Sequence, residues 1–462
     1  MRAIPVIAVI DVGKTNKKLF LFNQQYKIVY ERSARFTETE DEDGFPCENI
    51  ESLRLSVFDS LRCVFSKKEY DVKAINFSSY GASLVYIDDE GNPLTPLYNY
   101  LKPYPELLRK KFYDTYGGEE SFAVRTASPV LGSLNSGMQL YRLKYEKPEI
   151  FKNIRYALHL PQYLSYLITG QPCSDITSIG CHTNLWDFQE NDYHEWVRAE
   201  GVAQMLAPLV RYDKVMPAAF PGSNYLVGPG LHDSSASLIP YLVNFQEPFV
   251  LISTGTWCIT LNPYDDSPLQ LEELEHDCLC YYQYDGRPVK ASRLFAGQHH
   301  EDGIKIIASH FHQNPVKYRS MQFNPEVTAS LKRNNNGQLR STLDLIRDNA
   351  FAKRNITDFN SDEEAYHRLM MDILESQVAS TQLVLKGPAV KRMFVDGGFS
   401  KNAIYMNLLA AAFPNMEIYA ASVAQATALG AALSIHKSWN KKPLPNDMIQ
   451  LQYYGSLVKT SI

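Results

Sequence analysis

The chain has 462 residues, 45% of them hydrophobic, with 46 Lys and Arg against 51 Asp and Glu and a formal net charge of −5. That length exceeds one ordinary hydrophobic core and predicts two domains, while the scattered basic residues leave no electrostatic footprint for nucleic acid. The opening apolar run stops at Asp11, too short for a secretory segment, and no later run could span a bilayer, so a cytoplasmic location with no membrane partner is expected. The seven cysteines are odd in number and irregularly spaced, which predicts reduced, mostly buried thiols; Cys278 and Cys280 share a strand face but lack two further zinc partners.

Val6 to Val12 is a β-rich run, Gly13 to Asn16 a tight polar turn, Leu19 to Phe22 a second strand and Lys27 to Tyr30 a third, so the chain opens as an antiparallel meander. Glu38 to Asp43 reads as an acidic, solvated loop. Leu53, Val57, Leu61 and Val64 stand at helical spacing, and Ala74 to Phe77 returns to a strand ending in Ser78-Ser79-Tyr80-Gly81. Leu84 to Ile87 is a further strand, Pro93 to Pro105 an aromatic-rich irregular loop, and several helices follow up to Thr169-Gly170. This alternation of strands and helices predicts an α/β class.

At mid-chain, Gly228-Pro229-Gly230-Leu231-His232-Asp233-Ser234 places Asp233 at a strand-to-helix corner, where its carboxylate is presented rather than lost on a solvated face. Phe249 to Ile252 then breaks at Ser253-Thr254-Gly255-Thr256 and resumes at Trp257 to Leu261, a hairpin whose tip offers hydroxyls and N–H groups to an anion. The second half thus repeats the opening device of the first, and a boundary near Asn244 divides the chain into domains 1–244 and 245–462. A long helix near Glu363 to Leu385, a strand at Met393 to Val395 and a helix from Ala403 to Ala412 complete the second half, and a small-molecule site is expected in the cleft between the two domains. A carboxylate beside an anion-holding turn suits phosphoryl transfer to an alcohol.

Taken singly, the motifs have ordinary readings. Asp11 to Asn16 alone is an Asx-type turn. Gly397-Gly398 alone is a tight turn before a helix. Ala424 to Ala432 alone is a small-residue face for close packing. In order, however, Asp-x-Gly-x-Thr-Asn, Gly-x-His-Asp, Ser-x-Gly-Thr-Trp, Gly-Gly-x-Ser-x-Asn and Ala-Thr-Ala-Leu-Gly-Ala-Ala resemble the FGGY family of carbohydrate kinases, over residues ~5 to 437.

The resemblance implies two ribonuclease-H-like (actin/hexokinase-type) domains with a ligand cleft between them, taking a sugar and ATP with Mg²⁺. It implies phosphate contacts from Gly13, Lys14, Thr15 and Asn16 and from Gly255 and Thr256. Gly397 and Gly398 would lie against the adenosine, with Asn402 beside them. Asp11, with Asp233, would position Mg²⁺, and Asp233 would be the general base. Gly81, His232, Asp233 and Ser234 would face the sugar. His232, the Thr-Trp pair and the stretch Leu160 to Gly170, with Asp175 and Asp187 beyond it, resemble the rhamnulokinase and fuculokinase branch, whose acceptor is O1 of a 6-deoxy-2-ketohexose. Tyr98 to Pro103 departs from the pattern by lacking the Asp and Arg of many relatives. Lys14, Lys17 and Gln425 also depart from it. Another ketose or polyol as acceptor, or a non-catalytic sugar or nucleotide sensor on the same fold, are the alternatives. A homodimer is left open.

Overall fold

In the computed structural model, which describes residues 3–14, 17–34, 37–220, 224–333, 341–386, 389–423 and 425–455, the first expected strand runs from Ile4 to Val12 (β1) with Val6 to Ile10 buried on both faces. Such two-sided burial is what a continuous β-branched run requires. The chain divides into two compact units. One comprises Met1–Asn244 with Cys280–Pro288 and Ala424–Met448; the other comprises Phe245–Leu279 with Val289–Val423 and Ile449–Ile462.

In the first unit β1 pairs antiparallel with β2 (Lys17–Asn23), which pairs antiparallel with β3 (Ile28–Ala34), the meander expected from the turn residues. Helix α1 (Ile50–Phe65) buries Leu53, Val57, Leu61 and Val64, and the Asn49 side chain caps it by accepting from Ser52 N–H at 2.9 Å. The chain then returns parallel to β1 as β4 (Tyr70–Ser79), pairing Asp11 with Ser78 and Val12 with Ser79. Leu226–Val227 and Leu231–His232 (β5 and β6) also run parallel to β4, His232 opposite Ser79. Asp11 and His232 therefore stand at the same, carboxyl end of three parallel strands, where open α/β sheets place ligands. Helix α2 (Asp233–Asn244) starts at that edge.

A separate aromatic core lies in the same unit, where Phe112 packs edge-on against Tyr113, Phe122, Tyr141 and Trp196 at 4.8–5.3 Å. Leu84–Ile87 pairs with Tyr156–His159, a strand too short to show in the sequence pattern. The reading of 38–43 as a solvated loop is corrected. Glu38–Glu40 pairs with Pro46–Glu48, and Asp41 is buried, accepting from the N–H groups of Asp43 and Phe45 and from Lys102 Nζ at 2.5 Å. A buried ammonium supplies what a buried carboxylate needs. Composition cannot reveal that partner.

The second unit repeats the arrangement. β7 (Phe249–Thr254) pairs antiparallel with β8 (Cys258–Asn262) and parallel with β9 (Arg392–Gly397), which pairs parallel with Glu417–Ser422. The 22-residue helix Asp362–Leu383 and the helix Ala296–His310 cover this sheet's core, with Gly303 set against Leu369. The Ala403–Ala412 helix has the bounds expected. Among the described residues no helix is long and apolar enough to cross a membrane.

Candidate active site

The turn that delivers Asp233 is held from three sides. Asn76, fully buried in β4, accepts from Gly230 N–H at 3.0 Å and donates to Ala431 C=O at 2.8 Å and Ser434 Oγ at 3.1 Å. In the Leu160–Thr169 helix, Ser165 donates to Gly228 C=O at 2.8 Å and Gln162 to Gly230 C=O at 3.0 Å. A side chain at Gly230, where φ is +83°, would meet Pro161 C=O at 2.5 Å. Only glycine allows that approach.

Asp233 emerges from this clamp with about a third of its side chain open. Its Oδ1 accepts from Ser234 N–H at 2.6 Å and Ser234 Oγ at 3.4 Å, so Ser234 orients the carboxylate. Burial pushes the carboxyl up to about 6. Asp11, at the end of β1, is likewise pushed up to about 6, by burial first, with the nearby Asp233 charge adding to it and a hydrogen bond from Thr427 opposing it. Thr427 Oγ1 donates to Asp11 Oδ2 at 2.7 Å. The small-residue helix Ala426–Ser434 is thus more than packing. It also approaches α2 so closely that a side chain at Gly430 would meet Ala236 C=O at 1.8 Å.

His232 is buried, its Nε2 3.3 Å from Asp233 Oδ1 and 3.4 Å from Cys181 Sγ. Burial pulls its pKa down to about 4, so the ring is neutral at pH 7. Its backbone N–H donates to Thr177 Oγ1 at 3.0 Å, and the Thr177 hydroxyl in turn donates to Asp175, a fully buried carboxyl pushed up to about 7 by burial. Asp175 therefore supports the strand that carries His232. Asp187 pairs with Arg125 at 2.5 Å and stays structural. Gly81 lies directly beneath the His232 ring.

The loop that departs from the family pattern, Tyr98 to Pro103, is folded by its own partners. Tyr98 donates to Glu42 at 2.8 Å, and Lys102 bridges Asp41 and Asp43. It brings the Tyr100 ring to 5.8 Å from Tyr80, near enough to Asp233 and Glu48 that their charges, after burial, raise the phenol pKa. Lys14 Nζ lies 5.8 and 5.7 Å from these two rings and 3.5 Å from buried Glu48, which also pairs with Lys17 at 2.9 Å. Gly13 precedes it in the turn. Thr15 and Asn16 lie outside the described residues.

The second unit holds a cavity of about 490 Å³ whose wall includes Gly255, Thr256, Gly398 and Asn402 from the expected set. A side chain at Gly297 in this wall would meet Gly255 C=O at 1.9 Å, while Gly398 faces open space. Gly397, also expected at the nucleotide, is not part of the wall; its φ is +89° and a side chain on it would meet Thr254 C=O at 2.0 Å. Thr254 links the turns, its hydroxyl donating to Asp396 C=O at 2.5 Å and accepting from Phe399 N–H at 3.0 Å. Asn402 caps the Ala403–Ala412 helix by accepting from Tyr405 N–H at 3.0 Å and donates to Tyr366 Oη at 2.8 Å, so its amide is committed to the wall. Sequence reasoning missed Gln298, His300, Arg319 and Lys401, which also line the cavity. No turn signature marks Gln298, His300 or Arg319, and Lys401 is an unspecified position of the Gly-Gly-x-Ser-x-Asn motif.

The strand order of both units, with a carboxylate pair at a sheet end in one and a glycine-floored cavity in the other, defines the two-domain ribonuclease-H-like class of α/β fold. Residues 6–221 match the N-terminal domain of the FGGY family of carbohydrate kinases, and residues 246–443 match the carbohydrate kinase FGGY C-terminal domain. The chain belongs to the FGGY family of carbohydrate kinases. Among curated proteins it is 20% identical over 267 residues to a rhamnulokinase of Oceanobacillus iheyensis, covering 54% of each chain. It is 22% identical over 275 residues to an L-fuculokinase of Escherichia coli K12, covering 55% of this chain and 56% of that one. The chain spans about half the length of these curated relatives. Among solved structures a carbohydrate kinase from Novosphingobium aromaticivorans superposes with a TM-score of 0.79 at 23% identity, over 99% of this chain and 95% of that one. A xylulose kinase from Lactobacillus acidophilus gives 0.78 at 16% identity, over 98% and 94%.

Proposed function

We propose that this protein transfers the terminal phosphoryl group of ATP to a sugar hydroxyl, with Asp233 as the general base. The observation that carries the reading is the pair Asp11 and Asp233, two carboxylates at one sheet end, each pushed up to about 6. A base poised near neutrality can take a hydroxyl proton as the oxygen attacks phosphorus, and the corner of β6 and α2 holds it there. The neutral His232 ring at 3.3 Å orients that carboxylate. Gly81, beneath the His232 ring, and Tyr100, whose phenol feels the Asp233 charge, are the groups near the base that we assign to the sugar.

The residues present fit Mg²⁺. Two mutually repelling, partly desolvated carboxylates and an orienting Thr427 hydroxyl form an oxygen donor set suited to a hard dication. When bound, Mg²⁺ supplies charge neutralisation for the phosphates. Asp11 would hold it, with Asp233 alongside. For the nucleotide, the lining glycines Gly255 and Gly398 would let backbone N–H groups approach phosphate and adenosine, with Gly397 next in the chain to Gly398, and Thr256 offers a hydroxyl in the same wall. Sugar binding, the base and the first phosphate turn, with Gly13 and Lys14, thus belong to the first unit, and the second phosphate turn and the adenosine contacts to the second.

The acceptor we assign is O1 of a 6-deoxy-2-ketohexose, L-rhamnulose or L-fuculose. The support is His232 before Asp233, the Leu160–Thr169 helix clamping the base turn, and the names of the two curated relatives. The test is kcat/KM for L-rhamnulose, L-fuculose, D-xylulose, D-ribulose and glycerol at saturating Mg-ATP. A deoxyketose should lead. A pentulose or glycerol ahead by tenfold reassigns the acceptor, and ATP binding with no turnover on any of them overturns the kinase reading.

A further inference from the structure

Cys181, His182 and His232 are buried in the first unit with 0%, 8% and 3% exposure. One donor atom from each lies within 4.8 Å of the other two, and Cys181 Sγ is 3.4 Å from His232 Nε2. His182 Nδ1 is 3.3 Å from Leu134 C=O. A carbonyl only accepts, so Nδ1 carries the proton, the outer contact that orients metal-binding imidazoles. His232 Nδ1 has no hydrogen-bond partner among the described residues. The two imidazoles stand perpendicular at 6.2 Å, with Tyr281 stacked on His232 at 5.8 Å and edge-on to His182 at 6.1 Å. The Tyr281 ring therefore backs a buried N/N/S cluster.

We propose that Cys181, His182 and His232 form a site for a thiophilic divalent cation of the Zn²⁺ class, and that its occupancy shuts down the acceptor chemistry at Asp233. Thiolate and imidazole donors select Zn²⁺ over Mg²⁺, which takes oxygen ligands. In a tetrahedral ion these donors stand roughly 3.5 Å apart, so the site closes by a shift of about 1 Å. Binding forms a sulfur–metal bond and releases the Cys181 thiol proton to water, with no change of oxidation state. The consequence follows from His232 Nε2, which lies 3.3 Å from Asp233 Oδ1. That nitrogen cannot donate to the carboxylate while it holds a metal, so the ring no longer orients Asp233. The nucleotide cavity is untouched. The inhibition rests on the kinase reading; the binding does not.

The binding test titrates Co²⁺, a spectroscopic stand-in for Zn²⁺, into chelator-stripped full-length protein. A thiolate-to-cobalt charge-transfer band saturating at about one equivalent is expected, absent in Cys181→Ser and weakened at least about tenfold in affinity in His182→Gln. Binding without that band, or a band unchanged by either substitution, overturns the site. Cys181→Ala serves where the serine variant does not fold. In the kinase assay at saturating Mg-ATP, with each enzyme scored against its own rate without Zn²⁺, Zn²⁺ should inhibit the wild type and lose at least about tenfold of its potency against Cys181→Ser. Equal inhibition of both overturns the switch. Absence of turnover on every acceptor overturns the kinase reading and the switch with it, and the cobalt signal still decides the site.

Discussion

The Gly81 α-carbon sits so close beneath the His232 imidazole that a methyl group on it would lie 2.6 Å from Cδ2 and 2.8 Å from Nε2. Real Cβ atoms do not make such contacts, so any side chain at 81 pushes the ring that orients Asp233. The sequence motif alone puts Gly81 against the sugar; the structure gives it a mechanical reason to be glycine.

Gly81→Ala should therefore lower kcat by roughly 10- to 100-fold, because small misplacements at a reacting centre are costly, while the melting temperature falls only slightly. Kinetics and thermal melts of the purified variant check this. Turnover within twofold of wild type would show that the position of His232 does not matter.

Asp233→Asn should lower kcat by roughly 10²–10⁴, the range for a general base, with ATP still bound. It should also stabilise the protein at alkaline pH. A carboxyl held at about 6 in the folded protein, against its ordinary 3.8 in the unfolded chain, binds more protons folded than unfolded. It therefore penalises folding increasingly as pH rises from 3.8 through 6 and fully above. With the open third of the side chain discounted, removing the charge should gain about 1–2 kcal/mol at about pH 8 and nothing at about pH 4. Denaturant titrations at the two pH values measure the difference.

The pH profile of kcat/KM should fall on the acid side with a midpoint near 6, where Asp11 and Asp233 both take up protons. Thr427→Val removes the donor 2.7 Å from Asp11 Oδ2, a bond that favours the ionised carboxylate. The acid limb should then move to higher pH, and the Mg²⁺ needed for half-maximal rate should rise about 3- to 10-fold. An unchanged Mg²⁺ requirement would take Asp11 out of the metal site.

Thr256→Val should raise KM for ATP about 5- to 50-fold with little change in melting temperature, because Thr256 is an exposed residue of the second-unit cavity wall. A large stability loss with unchanged ATP kinetics would make the hairpin a structural turn only.

By itself the sequence determined the local elements. The paired hairpins, the corner at Asp233, the helix Ala403–Ala412 and the buried face Leu53, Val57, Leu61 and Val64 follow from periodicity and turn chemistry, which act over a few neighbouring residues. Tertiary structure alone decided which distant groups meet. Thr427 reaches Asp11 across 416 positions, Lys102 neutralises Asp41 across 61, and Cys181 faces His232 across 51. It also built the cavity wall from Gln298, His300 and Arg319, none of them in a recognisable turn, and gave a place in it to Lys401, an unspecified position of the Gly-Gly-x-Ser-x-Asn motif. The reason is physical: hydrogen bonds and ion pairs between residues brought together by sheet order impose no period on the chain, so each partner reads as an ordinary polar residue until the strands are aligned.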